Sequence, residues 1–331
     1  MRDLKKANHL IAEIARENKY ISPVSFKDLD LFQKFFKHEP HTYGNSWTYV
    51  VQGKYGIGPY GLGYKYYDGK NLSSFSIYPK MEQPDILCIY WTRPMGPNIL
   101  DIINKYTKEL LKLHATPSYV KKIFKDQFLY LKKKGFKDTT GFPWHSGCPS
   151  EDDTYPEIII NAKATVENES HSKTIRNILK RYRSLLSQVM VRKIINDTQK
   201  QKGWKVARDF FQQHLTSLSE NISTSEDFYN VLFASKSSRH ELFLILKDSF
   251  SRGIFDLERL DNKNYSTYAA LMLREKLHNL NDFSVIYRCY RILQKKGSHL
   301  NMGGSETEGL HKFKSKFIVA RENKMYWATL Y

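Results

Sequence analysis

The stretch Leu300-Asn301-Met302-Gly303-Gly304-Ser305-Glu306-Thr307-Glu308-Gly309-Leu310-His311-Lys312-Phe313-Lys314-Ser315-Lys316-Phe317 decides how the chain is read. Two adjacent glycines after an apolar run let the backbone turn sharply or approach a ligand, because neither carries a Cβ. Beyond them, Leu310, Phe313 and Phe317 fall on one helical stripe, while Lys312, Lys314 and Lys316 point elsewhere. A strand, a glycine bend and a basic helix in succession suit an anion or a developing oxyanion.

Upstream of that stretch the second half opens with Glu157-Ile158-Ile159-Ile160, read as a short buried strand. Next, Ile175, Ile178, Leu179, Tyr182, Leu185, Leu186 and Val189 recur at spacings of three and four, which predicts a helix with one core face. Helices are expected at Trp204 to Leu218, Ser225 to Phe233, Tyr265 to Leu277 and Phe283 to Lys296, the last capped by Gly297. Strands are expected at Glu241 to Leu246, Gly253 to Leu257, Ser298 to Met302 and Met325 to Leu330.

The first half reads as an α+β unit. Leu4, Ala7, Leu10, Ile11 and Ile14 mark an amphipathic N-terminal helix rather than a signal peptide, and Ser25-Phe26-Lys27-Asp28 starts a capped helix through Phe36. Strands are expected at Trp47 to Gln52, Leu62 to Tyr67, Ser73 to Tyr78 and Ile86 to Trp91, with a hairpin turn at Tyr67-Asp68-Gly69-Lys70. Two helices follow, from Leu100 to Leu113 and from Pro117 to Lys134, the second capped by Gly135. The aperiodic Gly, Pro and Ser segment from Gly135 to Asp153 places a domain boundary, giving domains 1–145 and 146–331.

With 331 residues, of which 41% are hydrophobic and 14% aromatic, the chain can build a core in each of two domains. Cys88, Cys148 and Cys289 are too few and too scattered for a disulfide framework or a zinc site, so no metal is expected. Cys148, beside His145, is read as structural because no third orienting group accompanies it. No apolar run reaches the ~20 residues that a membrane helix needs, and the expected location is cytoplasmic.

The formal charge of +18 calls for a polyanionic partner. Lys173, Arg176, Lys180 and Arg183 lie opposite the apolar stripe of their helix, and His171 to Arg208 holds eleven Lys or Arg against one acid, Asp197. Such a face can neutralise RNA phosphates, the other reading being a solvated helix surface. Gly56-Ile57-Gly58-Pro59-Tyr60-Gly61 fits the dinucleotide glycine pattern on paper, but Pro59 interrupts it and a strand, not a helix, follows.

The late stretch resembles the C-terminal signature of aminoacyl-tRNA-dependent transferases of the acetyltransferase-like (GNAT) fold. These are the Fem-type aminoacyltransferases and the C-terminal domain of phosphatidylglycerol lysyltransferases. Gly309-Leu310, Phe313-Lys314 and Phe317 carry the likeness. It implies an α/β fold of mixed sheets, with two tandem GNAT-like domains and the donor site in the second. It also implies transfer of an aminoacyl group from aminoacyl-tRNA to an amine or hydroxyl acceptor. By the same resemblance Lys314 stabilises charge and Phe313 packs beside the ester and excludes water. Gly303, Gly304, Ser305, Glu306, Tyr265 and Tyr268 would bind substrate, Glu306 also serving as a helix cap; Lys173, Arg176, Lys180 and Arg183 would hold tRNA. No dissociable cofactor is implied. The phosphate-binding glycine motif of acetyl-CoA enzymes is missing from the second half, which favours a donor other than coenzyme A. Two alternatives stand beside this reading: a coenzyme A-dependent N-acyltransferase, and a non-catalytic RNA-binding or adaptor protein on the same fold. Neither a coiled-coil arm nor a membrane flippase accompanies the motif, which counts against both peptidoglycan and lipid acceptors and leaves the acceptor unassigned.

Overall fold

The structure, a computed structural model, describes residues 4–38, 41–52, 62–79, 87–114, 116–138, 155–167, 172–214, 238–273, 277–305 and 307–331. The glycine pattern at 56–61, Cys148 with its neighbours, the helix expected at Ser225 to Phe233, Glu306 and the 145/146 boundary lie outside the described residues.

The chain divides into two compact units: Met1–Glu157 with Gly304–His311 and Asn323–Tyr331, and Ile158–Gly303 with Lys312–Glu322. This differs from a single cut into 1–145 and 146–331, because two late segments belong to the first unit. Along the first unit run α1 (Leu4–Glu17), β1 (Ile21–Pro23), α2 (Leu29–Phe36), α3 (Trp47–Gln52), β2 (Leu62–Tyr67), β3 (Leu72–Pro79) and β4 (Leu87–Met95). Then come α4 (Ile99–His114), β5 (Ser118–Ile123), α5 (Lys125–Lys133) and β6 (Lys137–Asp138). The chain goes on through β7 (Glu157–Asn161), α6 (Ala162–Glu167), α7 (Lys173–Leu186), β8 (Met190–Lys193), α8 (Asp197–His214), β9 (His240–Lys247) and β10 (Phe250–Arg259). It ends with β11 (Asn264–Ser266), β12 (Ala270–Met272), α9 (Leu280–Gln294), β13 (His299–Asn301), α10 (Glu308–Ser315), β14 (Val319–Asn323) and β15 (Tyr326–Leu330).

One sheet runs β1-β2-β3-β4-β5-β15-β6 and the other β8-β9-β10-β11-β13-β7-β14, with β12 also paired to β10. In each, the fourth and fifth strands are parallel: β4 with β5, and β11 with β13. In each, the sixth strand comes from far along the chain. β15, the last strand, completes the first sheet beside β5, and β7 joins the second beside β13.

Local chemistry explains where sequence periodicity misled. Trp47–Gln52 is a helix, not a strand, because the Ser46 hydroxyl accepts the Tyr49 N–H at 3.3 Å and the Ser46 carbonyl accepts the Val50 N–H at 3.1 Å. The long helix expected from Pro117 splits into β5 and α5: the largely buried run Ser118–Ile123, with β-branched Val120 and Ile123 in the core, joins the sheet, and the Gln127 side chain caps the new helix by accepting the Phe124 N–H at 3.0 Å. Gly135 closes α5 at φ +102°, with its N–H on the Lys132 carbonyl and that of Phe136 on Leu131. The helix expected at Tyr265 to Leu277 is instead the strand pair β11 and β12, held by a carboxylate described below. At the end of α9 the left-handed residue is Lys296 (φ +60°). Gly297 is required for space, since a Cβ there would sit 2.4 Å from the Tyr265 ring.

Each unit packs its own core. In the first, Ile11 and Ile14 of α1, Phe75, Ile89 and Trp91 of the sheet and Ile103 of α4 are buried together. In the second, Ile175, Ile178, Leu179, Tyr182 and Leu185 of α7 meet Phe283 and Ile286 of α9 over Phe243, Phe255, Tyr265 and Leu300. At about 1.5–3 kcal/mol per buried side chain, that stripe outweighs the mutual repulsion of the cations on the helix's opposite face. The Ser172 hydroxyl caps α7 by accepting the Ile175 N–H at 3.3 Å.

Candidate functional site

The glycine turn and Lys314 come together in the second unit. Asn301, the last residue of β13, accepts the Gly303 N–H on its side-chain oxygen at 2.8 Å, and Gly303 takes φ +69°. The Gly303 carbonyl in turn accepts two donors, the Ile158 N–H at 3.3 Å and the Lys314 ammonium at 3.3 Å. Lys314 is 7% exposed, so its charge is largely removed from water. It therefore does not point outward with Lys312, as the helical wheel implied, but pins α10 to the turn. Phe313 packs edge-on to Phe317 at 5.8 Å, and the Lys316 ammonium lies 4.2 Å above its ring. Lys316 is also ion-paired to Asp282.

Gly304 and Ser305, which fall in the first unit, are buried; Ser305 is fully so, and its hydroxyl has no partner among the described residues. Thr307 caps α10, its hydroxyl accepting the Leu310 N–H at 3.2 Å. That is the role expected of Glu306 from the sequence. The His311 ring lies 5.2 Å from that of Tyr155, tilted by 30°.

Tyr265 lies in the core, 2% exposed and opposite Leu300 in the parallel register, and burial raises its phenol pKa. Tyr268 is partly buried against the second face of the sheet, where Val206 and Ala207 of α8 meet Leu244 and Ile254. Of the eight residues assigned to catalysis and substrate, the structure joins Gly303 to Lys314 by a hydrogen bond, sets Phe313 one residue before that lysine on α10, and makes Tyr265 part of the core.

A buried dyad beside β11 has no counterpart among the residues singled out from the sequence. Asp256 of β10 accepts His240 Nε2 at 3.0 Å on one oxygen. On the other it accepts the Thr267 hydroxyl at 3.0 Å and the Tyr268 and Ala269 N–H groups at 2.8 Å each. Those three bonds hold residues 267–269 out of the helix their sequence favours. Burial works against both charges. For Asp256, the His240 hydrogen bond and the nearby Arg288 charge outweigh it and hold the carboxyl below its usual range; for His240, Asp256 outweighs it and raises the imidazole. Arg288, pushed down to about 10 by burial, spends its donors on the carbonyls of Asp256 and Ala269 and on the Ser284 hydroxyl. A histidine and an aspartate on facing strands of a hairpin, sixteen residues apart, form no recognisable motif, and only the antiparallel register of β9 and β10 joins them.

Glu241, next to that dyad in sequence, is ringed by Lys193, Arg291 and Lys295 at 3.0–3.1 Å. Burial would raise its carboxyl; the three cations instead lower it to about 2. Lys173, Arg176, Lys180 and Arg183 are all exposed along α7, as their spacing implies. Cys88 and Cys289 are buried and outside any disulfide, and burial pushes the Cys289 thiol up to about 12. No cluster of His, Cys, Asp or Glu among the described residues could hold a metal ion. No helix among them is long and apolar enough to cross a membrane.

No protein-family model and no curated protein sequence matches the chain. Solved structures do. A conserved protein of unknown function from Bacteroides thetaiotaomicron superposes with a TM-score of 0.71 at 12% identity, over 94% of this chain and 99% of that one. The structure of L-PGS from Bacillus licheniformis gives 0.61 at 12%, over 90% of each chain, and FemX gives 0.61 at 14%, over 93% and 96%. The chain has the tandem acetyltransferase-like fold. At these identities the likeness establishes the fold, and with it the reading of the paired sheets as two GNAT-like units.

Proposed function

We propose that the chain is an acyltransferase that moves an aminoacyl group from aminoacyl-tRNA to an amine or hydroxyl acceptor. The observation that carries this is the buried Lys314 ammonium held at the positive-φ glycine turn, 3.3 Å from the Gly303 carbonyl. The structural likeness to FemX and to lysylphosphatidylglycerol synthetases supports the same reading. An aminoacyl ester is already activated, so the catalyst needs alignment and a donor for the oxyanion more than a strong base. The acceptor nitrogen or oxygen bonds to the ester carbon, negative charge gathers on the former carbonyl oxygen, and Lys314 donates to it. Collapse breaks the bond to the ribose oxygen, which takes the proton the acceptor gives up. Phe313 keeps water from competing, and Lys173, Arg176, Lys180 and Arg183 hold tRNA phosphates. A tRNA donor puts the reaction in the cytoplasm.

A second reading, RNA binding without catalysis, draws on the same hydrogen bond, because an ammonium committed to a backbone carbonyl has a structural task. The two separate by experiment. Purified protein is incubated with radiolabelled aminoacyl-tRNAs and cell extract, and label is expected to leave tRNA faster than by spontaneous hydrolysis. Lys314→Ala should lower that rate by about 100-fold or more, while Lys314→Arg keeps the fold and recovers only part of the rate. Wild-type turnover in Lys314→Ala would end the catalytic reading. Heat on titrating acetyl-CoA, without any tRNA effect, would move the donor to coenzyme A.

A further inference from the structure

The second unit carries a groove between α8 and the β9–β10 hairpin that the reading above leaves unused. It consists of two adjoining cavities of about 650 and 450 Å³ that share Lys202 and Ser249. Lys202, Lys205 and Arg252 line the larger one against a single acid, Asp209. Arg192 and Lys202 line the smaller against Asp248.

The way the chain presents these groups is costly. Lys247 pairs with Phe250 across a two-residue turn whose central residues, Asp248 and Ser249, both take positive φ, at +50° and +68°. Neither is glycine, so the turn is strained by roughly 1–2 kcal/mol per residue, and it sets Ser249 at the junction of the cavities. One residue on, the register skips Arg252: Ser251 faces Leu246 and Gly253 faces Ile245. Such a bulge re-aims the side chain of its extra residue. The Arg252 Nε is shielded from solvent and has no hydrogen-bond partner among the described residues, and its guanidinium lies over the ring of Phe250, 5.3 Å from the centroid. Phe250 itself is 64% exposed at the rim.

A shielded guanidinium nitrogen with no acceptor among the described residues, set among lysines and over one face of an exposed aromatic ring, suits a chain of phosphates bearing flat groups. We infer that this groove binds a single-stranded RNA segment, phosphates on Arg252, Lys202, Lys205 and Arg192 and a base stacked on Phe250. The smaller cavity begins at Ser187 and Gln188, just past the end of α7, so the groove continues the exposed cationic helix into a concave track. Concavity and hydroxyl lining favour a strand over the flat surface of a bilayer. The inference rests on the tRNA reading only for which RNA is bound.

The test is a fluorescence-anisotropy titration of the intact protein with a short unstructured polyuridine at two salt concentrations. Lys202→Gln with Arg252→Gln is expected to weaken binding about tenfold and to flatten the salt slope by about 1.4, at about 0.7 per lost phosphate contact. Phe250→Ala should weaken binding about tenfold with the slope unchanged. Should the Arg252 variant fail to fold, Lys202→Glu with Lys205→Glu on the exposed face of α8 asks the same question. Wild-type affinity in these folded variants overturns the inference. So does sedimentation with phosphatidylglycerol vesicles through the same residues, with no binding of polyuridine. Transfer assays on the same variants keep the two readings apart: RNA binding without any transfer sinks the transferase and spares the groove, whereas transfer without groove-dependent RNA binding does the reverse.

Discussion

Each sheet has its parallel pair at the fourth and fifth strands, and the chemistry differs where those pairs stop. In the first unit the register ends at Thr92 opposite Lys121, and both next residues, Arg93 and Lys122, take positive φ, at +53° and +58°. Each is a buried cation. Arg93 donates to the Asn45 side chain at 2.8 Å, and Lys122 pairs with Glu157 at 3.7 Å between the rings of Tyr43 and Tyr49. In the second unit the register ends at Ser266 opposite Asn301, and the positive φ belongs to Gly303. One unit fills the end of its parallel pair with two cations that rise from the strands themselves; the other sets a glycine turn there and brings its single cation, Lys314, from a helix. The same place in two like sheets is thus occupied by an ion pair in one unit and by a glycine turn holding the Lys314 ammonium in the other.

The comparison is most severely tested by breaking the buried pair of the first unit. Both partners have fully buried side chains, so Glu157→Gln alone should cost about 3–5 kcal/mol in urea unfolding, and Lys122→Met with Glu157→Gln should recover most of it. A loss below about 1 kcal/mol would mean that the end of the parallel strands is not held by this ion pair.

In the second unit, Asp256→Asn should cost about 2–4 kcal/mol and free residues 267–269, read as faster hydrogen exchange at Tyr268 and Ala269. The pH dependence has two limbs. Asp256, lowered in the folded state, adds stability that is present above its unfolded value near 3.9 and is lost as pH falls through the folded one. His240, raised, adds stability that is full below about 6.5 and is lost as pH rises through its folded value. Between these limits the wild type should gain most over Asp256→Asn, and a parallel pair of pH–stability curves would refute the assignment.

These two clusters are also where sequence reading fell short. The periodicity of α7 and the glycine turn before Lys314 are local signals, and both are found in place. By contrast, residues 265–277 look helical by pattern and become two short strands because Asp256, a neighbour only in space, captures their N–H groups. The helix at Trp47–Gln52 hinges on one serine hydroxyl against a run of strand-forming side chains. The likeness of the two sheets leaves no repeat in the sequence, because each sixth strand is supplied from far along the chain and each parallel pair ends on different residues.

A smaller effect sharpens the contrast. Gly303→Ala should cost about 1–2 kcal/mol for a side chain at positive φ, measured by thermal unfolding, and should slow transfer more than it lowers stability. The smallest expected change belongs to the exposed face of α7: Lys180→Glu with Arg183→Glu should leave stability within about 0.5 kcal/mol while weakening RNA binding and its dependence on salt. Equal RNA affinity in that variant would detach α7 from the nucleic-acid surface.

The provenance of β15 sets a timetable. Thr329 bonds to Ser118 across 211 residues, so at roughly 5–20 residues per second on the ribosome the edge of β5 waits roughly 10–40 s for its neighbour to be made. During that interval a newborn first unit offers an open strand edge to any passing chain, and its maturation is bound to the completion of the unit that follows it.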